Sequence, residues 1–311
     1  MIRTNPSGSN PIPAARNAAI IFVQLMLLTC SFYAASRAAG WWQITGLAVI
    51  FGVLMNSVYS VIHEAEHRML FRGAGVNDGW GIVFALFFPA PFHLLRQGHL
   101  GHHMRNRSDD EAFDLYFEGE NPLWRYIQMY GILTGCYWLM VAVANPVILL
   151  FPRLLQRKHF EFDRQSAAFM ESLNPRYVRW IQAEALGVIL LHSAIIWAFH
   201  IPLLTYFVMY FGFGFTWSAM QYVHHYGTER HVTKGARNLF LWAPLDWIWL
   251  NHNWHQTHHE HPTVPWPYLP SIGREENPRR GFLLSAWIRM WRGPRMSRDH
   301  VENKYAGRVI H

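Results

Sequence analysis

The sequence predicts an all-α integral membrane protein, in which two transmembrane helical hairpins, about four spans, carry a cytoplasmic helical cap. Three observations lead to this prediction: only 15% of the residues are charged, several stretches are long and apolar, and the arginines are unevenly placed. A soluble domain of this size would carry roughly a quarter charged residues. The composition also excludes a disordered chain and, with two cysteines, a disulfide scaffold.

Four stretches are long and apolar enough to cross the hydrocarbon layer, for which ~20 residues suffice. They are residues 18–36, 41–62, 181–199 and 203–221. Two further stretches, 79–95 and 126–151, contain internal prolines, which remove a backbone donor and restrict the preceding residue. Whether these two also cross the membrane is left open by the sequence.

Basic residues predict the orientation of the spans. Six Lys or Arg residues lie in 151–180, whereas the link at 36–41 has one and the link at 200–202 has none. Because positively charged segments stay in the cytoplasm, we expect both termini and the cap there, with an active site that faces the cytoplasm. The net charge of +7 fits an anionic membrane surface, and no basic run of the kind that binds nucleic acid is present.

The chain divides into three predicted segments. Residues 1–17 form a flexible cytoplasmic tail, 18–270 the membrane domain, and 271–311 a cytoplasmic C-terminal segment. Apolar and basic residues alternate in 281–292, which favours an interfacial helix, with a packed surface helix of the cap as the alternative. A signal peptide over 16–36 is a competing interpretation, but the second apolar span follows at once and favours a membrane hairpin.

Nineteen histidines are present, and many lie in clusters at the predicted cytoplasmic ends of the apolar stretches. Residues three or four apart share one face of a helix, so the histidines of each such cluster can bind one metal ion together. The clusters with this spacing are His63 and His67, His99 with His102 and His103, and His255 with His258 and His259. His225 has the same relation to Gln221.

The number of histidines indicates two ions, although spacing alone does not name the metal, because imidazole binds iron, zinc, copper and nickel. Eight clustered histidines and His225 exceed what one ion can hold. His224, His252 and His261 remain candidates for supporting positions.

The H-E-x-x-H pattern with Glu64 as general base also fits a zinc protease, but that leaves the other clusters without a role. A metal-binding or metal-transport protein is a further alternative.

The order HxxxH, HxxHH, Q-x-x-x-H, HxxHH over residues 41–270 resembles the membrane fatty-acid desaturase and hydroxylase superfamily. The resemblance implies a cytoplasmic cap that holds two non-heme irons. The metal ligands that it implies are His63, His67, His99, His102, His103, His225, His255, His258 and His259. Gln221 stands where the family often has a water-linked Asn, which implies a supporting role. His224 replaces a residue that is acidic in the alkane-hydroxylase branch, so placement in that branch is disfavoured.

The resemblance implies an O₂-dependent diiron desaturase that introduces a double bond into an acyl lipid or acyl thioester. The alternative is a hydroxylase or other oxygenase of a carotenoid, sphingoid or acyl lipid; an intramembrane zinc metalloprotease is a distant third. The chain has no heme-binding HPGG stretch and no dinucleotide-binding glycine motif after a strand. Electrons must then come from a separate ferredoxin, rubredoxin or cytochrome b5-type donor. The basic segment 153–179 is a candidate docking surface for it, or for lipid head groups.

Two groups of residues are candidates to support the reaction. Glu64, Glu66, Asp109 and Asp110 carry carboxylates near the clusters, which can orient imidazole N–H groups. For the two aspartates, ordinary solvated loop charge is an equal alternative. Aromatic residues in 206–217 are candidates to line an apolar substrate channel, although packing explains most of these rings as well.

Overall fold

The computed structural model describes residues 10–310, so most of the predicted flexible tail, residues 1–9, lies outside the described part, as does residue 311. The described chain is mostly helical, and its strands are short. Its helices are α1 (Ala14–Arg37), α2 (Trp41–Glu66), α3 (Ala74–Phe87), α4 (Phe92–Arg105), α5 (Pro122–Leu133), α6 (Cys136–Leu150), α7 (Arg164–Ser172), α8 (Val178–Phe199), α9 (Leu203–Met220), α10 (Ala243–Ile248), α11 (His255–Glu260), α12 (Leu269–Glu276) and α13 (Leu283–Met290). The strands are β1 (Leu115–Tyr116), β2 (Leu239–Phe240), β3 (Gly281–Phe282) and β4 (Arg295–Met296).

Four described helices are long and apolar enough to cross a membrane: α1, α2, α8 with its preceding turn, and α9. They coincide with the four predicted spans, and the all-α membrane fold is confirmed. Helix α1 begins at Ala14, so residues 14–17 of the predicted tail form its first turn. Only residues 38–40 separate α1 from α2, and 200–202 separate α8 from α9, as expected of tight hairpins.

The two hairpins are joined where α2 packs against α9 through small residues. A Cβ atom added at Gly212 would lie 3.0 Å from the Cβ atom of Ala48, and one at Gly52 would lie 3.6 Å from the Gly212 carbonyl oxygen. Close approach of backbones through small residues is typical of helix packing in lipid. Farther along the same contact, the rings of Phe51 and Tyr210 meet edge to face at 4.8 Å.

The stretch predicted to be broken at 79–95 forms two helices, α3 and α4, which meet at an angle of 102°. A break at membrane depth leaves carbonyl groups that need donors from elsewhere in the protein. His192 Nε2 donates to the Leu86 carbonyl at 2.9 Å, and Tyr210 Oη donates to the Phe87 carbonyl at 3.2 Å. Side chains of the second hairpin thus fix the bend that directs α4.

The second broken stretch, α5 and α6, bends by 91°, but not at Asn145-Pro146 as its proline predicted. Pro146 lies inside α6, and the bend is at Gly135, where φ is +87°. Pro146 cannot donate to the Ala142 carbonyl, and the Asn145 side chain supplies that bond instead, at 2.8 Å. The same amide donates to the Pro89 carbonyl at 2.9 Å, so it also satisfies the α3–α4 bend.

We expect Asn145→Leu to lower the unfolding temperature of the purified protein in detergent. The substitution removes the donor from the buried Pro89 carbonyl and from the half-buried Ala142 carbonyl, and a buried carbonyl without a donor costs about 1–3 kcal/mol. The control is Thr29→Val, which also removes a polar group from a membrane span. The Thr29 hydroxyl is exposed and donates to the Leu25 carbonyl within its own helix. Equal destabilisation by the two variants would contradict this role for Asn145.

Two short parallel strand pairs tie the C-terminal segment to the cap: β1 with β4, and β2 with β3. Between them, α13 buries Leu283, Ala286 and Met290 in a cluster shared with α5. Its other side exposes Ile288, which is 56% accessible. Helix α13 is therefore packed on the cap and keeps an apolar outer face; its contact with a membrane interface stays a prediction.

Candidate metal centre

Four parts of the chain bring the clustered histidines together. The end of α2 supplies His63 and His67, α4 supplies three, the turn after α9 supplies His225, and α11 supplies three. The bend between α3 and α4 matters because it turns the histidine-bearing helix towards the end of α2. Every histidine predicted as a ligand lies in this assembly.

The first group contains His63, His67, His99 and His258, whose candidate ligand atoms all lie within 4.8 Å of one another. The Nε2 atoms of His67 and His99 are 2.7 Å apart. His103 belongs with them, because its Nε2 atom lies 3.1 Å from that of His99 and 3.0 Å from that of His258. Five imidazoles therefore converge on one position.

The second group contains His102, His225, His255 and His259, again with candidate ligand atoms within 4.8 Å of one another. The Nε2 atom of His225 lies 3.2 Å from that of His102 and 3.0 Å from that of His255. The ring centroids of His259 and of His103, from the first group, are 4.2 Å apart. The two groups are therefore neighbours.

The chemistry of these side chains fits bound metal ions. Four buried ring nitrogens have no hydrogen-bond partner within residues 10–310: His63 Nε2, His255 Nδ1 and both nitrogens of His259. Buried polar atoms are normally satisfied, and a metal ion satisfies an imidazole lone pair. Burial and the neighbouring histidines hold the pKa of His258 and His259 well below the ordinary value, so both rings are neutral, the form that binds metal.

Outer contacts orient two rings of the second group. His225 Nδ1 donates to the Gly235 carbonyl at 2.8 Å, which leaves its Nε2 atom free to face the group. The Nδ1 atom of His102 lies 3.3 Å from Glu111, and Arg105 donates to the same carboxylate at 3.1 Å. Burial alone would raise the pKa of Glu111, but Arg105 and His102 outweigh it and lower the pKa, so the carboxylate stays charged.

The four acidic residues singled out from the sequence do not contact these rings. Glu64 accepts the Trp266 backbone N–H at 3.2 Å, and Glu66 is buried without a hydrogen-bond partner among the described residues. Asp109 binds Arg230, His300 and the Val301 backbone; Asp110 binds Arg164 and Asn303. The carboxylate that the sequence analysis missed is Glu111, which no spacing pattern distinguishes from the two preceding aspartates.

The remaining candidates lie around the groups rather than within them. The ring of His252 is centred 4.9 Å from that of His63 and 5.2 Å from that of His255. His224 Nε2 lies 3.3 Å from Asn253 Oδ1. The Gln221 amide donates to the Trp217 carbonyl at 3.2 Å and, among residues 10–310, bonds to no histidine, so its supporting role stays a prediction.

We expect Glu111→Gln to weaken metal binding by about 10–100-fold, the usual cost of losing the partner of a ligating histidine. The measurement is a competition of the purified protein against a chelator. The control is Glu120→Gln, since the Glu120 carboxylate only accepts the Phe117 backbone N–H. Unchanged affinity in Glu111→Gln, or an equal loss in the control, would contradict the role assigned to Glu111.

Two comparisons with known proteins bear on this centre. The family model described as "Fatty acid desaturase" matches residues 39–291. The chain is also 22% identical over 239 residues to the sphingolipid delta(4)-desaturase DES1 of Drosophila melanogaster, an alignment that covers 75% of this chain. The alignment covers 66% of that protein, slightly under two thirds of its length. Because the family match extends over most of the chain and includes both histidine groups, the chain belongs to the fatty acid desaturase family.

Proposed function

We propose that the chain is an O₂-dependent desaturase that introduces a double bond into the acyl chain of a lipid. The observation that carries this proposal is the pair of neighbouring histidine groups, one of five imidazoles and one of four, at the ends of membrane-spanning helices. Such a donor set suits iron and leaves room for a small molecule. Membership of the fatty acid desaturase family supports the same activity.

Two irons are the metals that we propose for these groups. The first would be held by His63, His67, His99, His103 and His258, and the second by His102, His225, His255 and His259. The chemistry that such a pair supplies is activation of O₂ for hydrogen removal from an unactivated CH₂ group. The protein's part is to keep the imidazoles neutral and buried, with Glu111 and the Gly235 carbonyl fixing the rings of the second group.

An aromatic wall beside the histidines is the proposed site of the reacting chain. Tyr59 meets Trp217 at 5.4 Å and the ring of His252 at 6.2 Å, and Trp217 meets Phe88 at 4.8 Å. An apolar wall of this kind holds an alkyl chain and excludes water from the reacting carbon. Within the aromatic run 206–217, Trp217 and Phe213 contact this wall, since the ring of Phe213 is centred 5.6 Å from that of Phe88, whereas Tyr210 meets Phe51 between the hairpins.

The setting of the reaction follows from the membrane fold. Placement of arginines favours a cap in the cytoplasm, where a separate ferredoxin, rubredoxin or cytochrome b5-type protein would deliver electrons. The zinc-protease alternative is disfavoured, because Glu64, its would-be general base, is engaged by the Trp266 backbone N–H. It would also leave the second histidine group without a task.

The test is mass spectrometry of total lipids from aerobic cells that express the chain with a compatible electron donor, beside cells with an empty vector. We expect a new lipid that is lighter by two hydrogen atoms, and we expect it to disappear when O₂ is withheld. A product heavier by one oxygen atom would assign the same centre to hydroxylation. A lipid profile identical to that of the vector across ferredoxin, rubredoxin and cytochrome b5 donors would contradict the proposal.

A further inference from the structure

A second concave site lies on the cap, outside both histidine groups. It is an open cavity of about 400 Å³ that three segments line. The segment after α4 contributes Arg107, the turn after His225 contributes Thr228 and Arg230, and the C-terminal segment from β4 contributes 295–299. Pairing of β4 with β1 holds the third segment in place, since Arg295 donates its backbone N–H to the Asp114 carbonyl at 2.9 Å.

The cavity, called here the arginine pocket, is lined by four arginines and one aspartate, Asp299. Arg107 and Arg230 already have carboxylate partners, Asp114 and Asp109. The other two do not. Arg295 and Arg298 are exposed, and within residues 10–310 neither guanidinium makes an ion pair or a hydrogen bond.

The inner wall of the arginine pocket contains Arg107. Arg107 is fully buried, and its terminal nitrogens bind Asp114, the Tyr222 hydroxyl and the Thr228 carbonyl. Its buried Nε atom has no hydrogen-bond partner within residues 10–310. Because the partners of the terminal nitrogens hold its guanidinium in place, Arg107 fixes the inner side of the cavity rather than offering it a free donor.

We propose that the arginine pocket binds a phosphoryl-bearing anion, either a lipid head group or a soluble phosphate ester. Two unpaired guanidinium groups lie beside a space far larger than the ~30 Å³ share of one water molecule. Guanidinium forks match the oxygens of a phosphoryl group in pairs, which makes this chemistry the natural one for the pocket. The assignment does not depend on the proposed desaturase activity.

The pocket shares a wall with the second histidine group. Thr228 Oγ1 donates to the His225 carbonyl at 2.8 Å and lies 3.0 Å from the Gly235 carbonyl oxygen. The same Gly235 oxygen accepts from His225 Nδ1. A ligand that rests against Thr228 therefore stiffens the turn that positions one of the candidate metal ligands.

Calorimetric titration with inorganic pyrophosphate tests the proposal, with the full chain in nanodiscs of phosphatidylcholine. We expect saturable binding that is at least tenfold weaker in Arg295→Ala/Arg298→Ala, because both free guanidinium groups are removed. Asp299→Asn should bind more tightly, since it removes the carboxylate from the lining. The control Arg274→Ala/Arg279→Ala loses the same charge from exposed positions outside the pocket and should bind as the original chain does.

Repeating the titration in nanodiscs that contain phosphatidate distinguishes the two sources of the ligand. Weakened pyrophosphate binding would identify a lipid head group, and unchanged binding a soluble phosphate ester; both support the arginine pocket. Equal affinities of the original chain and Arg295→Ala/Arg298→Ala would overturn it, as would an equal loss in the control. The proposal would also be overturned if pyrophosphate did not bind but polyglutamate did, and if that binding required both arginines. This result would indicate a docking surface for an acidic protein.

Discussion

Replacing His258 with alanine is expected to abolish the proposed lipid desaturation, with a loss well beyond the about 10–100-fold typical for a residue that only supports a ligand. His258 lies at the centre of the first group: its Nε2 atom is 3.0 Å from that of His103, and its ring is centred 4.5 Å from that of His63 and 4.6 Å from that of His67. Alanine removes one of the imidazoles that converge on the first group. Product formation by cells that express each variant is the measurement.

The matched control is His261→Ala, the same substitution just after the same short helix. His261 Nε2 lies 2.6 Å from Glu276, and its ring contacts neither histidine group. Desaturation should therefore persist in this variant. Activity retained in His258→Ala, or lost equally in both variants, would remove the basis for placing a metal at the first group.

Replacing Asp114 with leucine is expected to cost about 3–5 kcal/mol of unfolding free energy, the usual result of leaving a buried charge without its partner. Asp114 is 1% exposed and binds the fully buried Arg107. It also accepts the Tyr222 hydroxyl and the Gly227 backbone N–H, each at 2.7 Å. Removal of its carboxylate leaves the charge of Arg107 without a partner. It also leaves the Tyr222 hydroxyl and the Gly227 backbone N–H without an acceptor.

Two comparison variants make this stability prediction specific. Tyr222→Phe removes two hydrogen bonds, one from Arg107 and one to Asp114, and should cost less, about 1–3 kcal/mol in total. Glu171→Gln breaks an exposed ion pair, in which the Arg157 side chain is 53% accessible, and should change stability by no more than about 1 kcal/mol. Denaturant unfolding in detergent, followed by helical circular dichroism, ranks the three. A cost for Asp114→Leu no larger than that for Glu171→Gln would contradict the account.

The four spans could be predicted from hydropathy, because length and apolar composition are local properties of the chain. The position of the bend between α5 and α6 could not. Pro146 predicts a break, yet the Asn145 side chain replaces the missing donor and α6 continues through the proline. The bend lies at Gly135 instead. An added Cβ atom there would lie 3.0 Å from the Phe215 Cα atom, and this close approach depends on tertiary packing.

The candidate ligands could likewise be predicted, but not their division into two groups. His102 and His103 are adjacent in α4 and point to different groups, because successive residues of a helix face different directions. Their partners come from α2, α11 and the turn after α9, so the division depends on how these elements pack. The contact between Glu111 and His102 could not be predicted either, because it depends on the path of the loop after α4.

Metal content per chain tests the central claim most directly, namely that these histidines make two separate metal positions. For protein purified after expression with iron, elemental analysis should give two irons per chain. His225→Ala/His259→Ala, which changes only the second group, should retain one. A single metal ion per chain in the original protein, or one tightly held zinc ion that the second-group substitutions leave in place, would contradict the account.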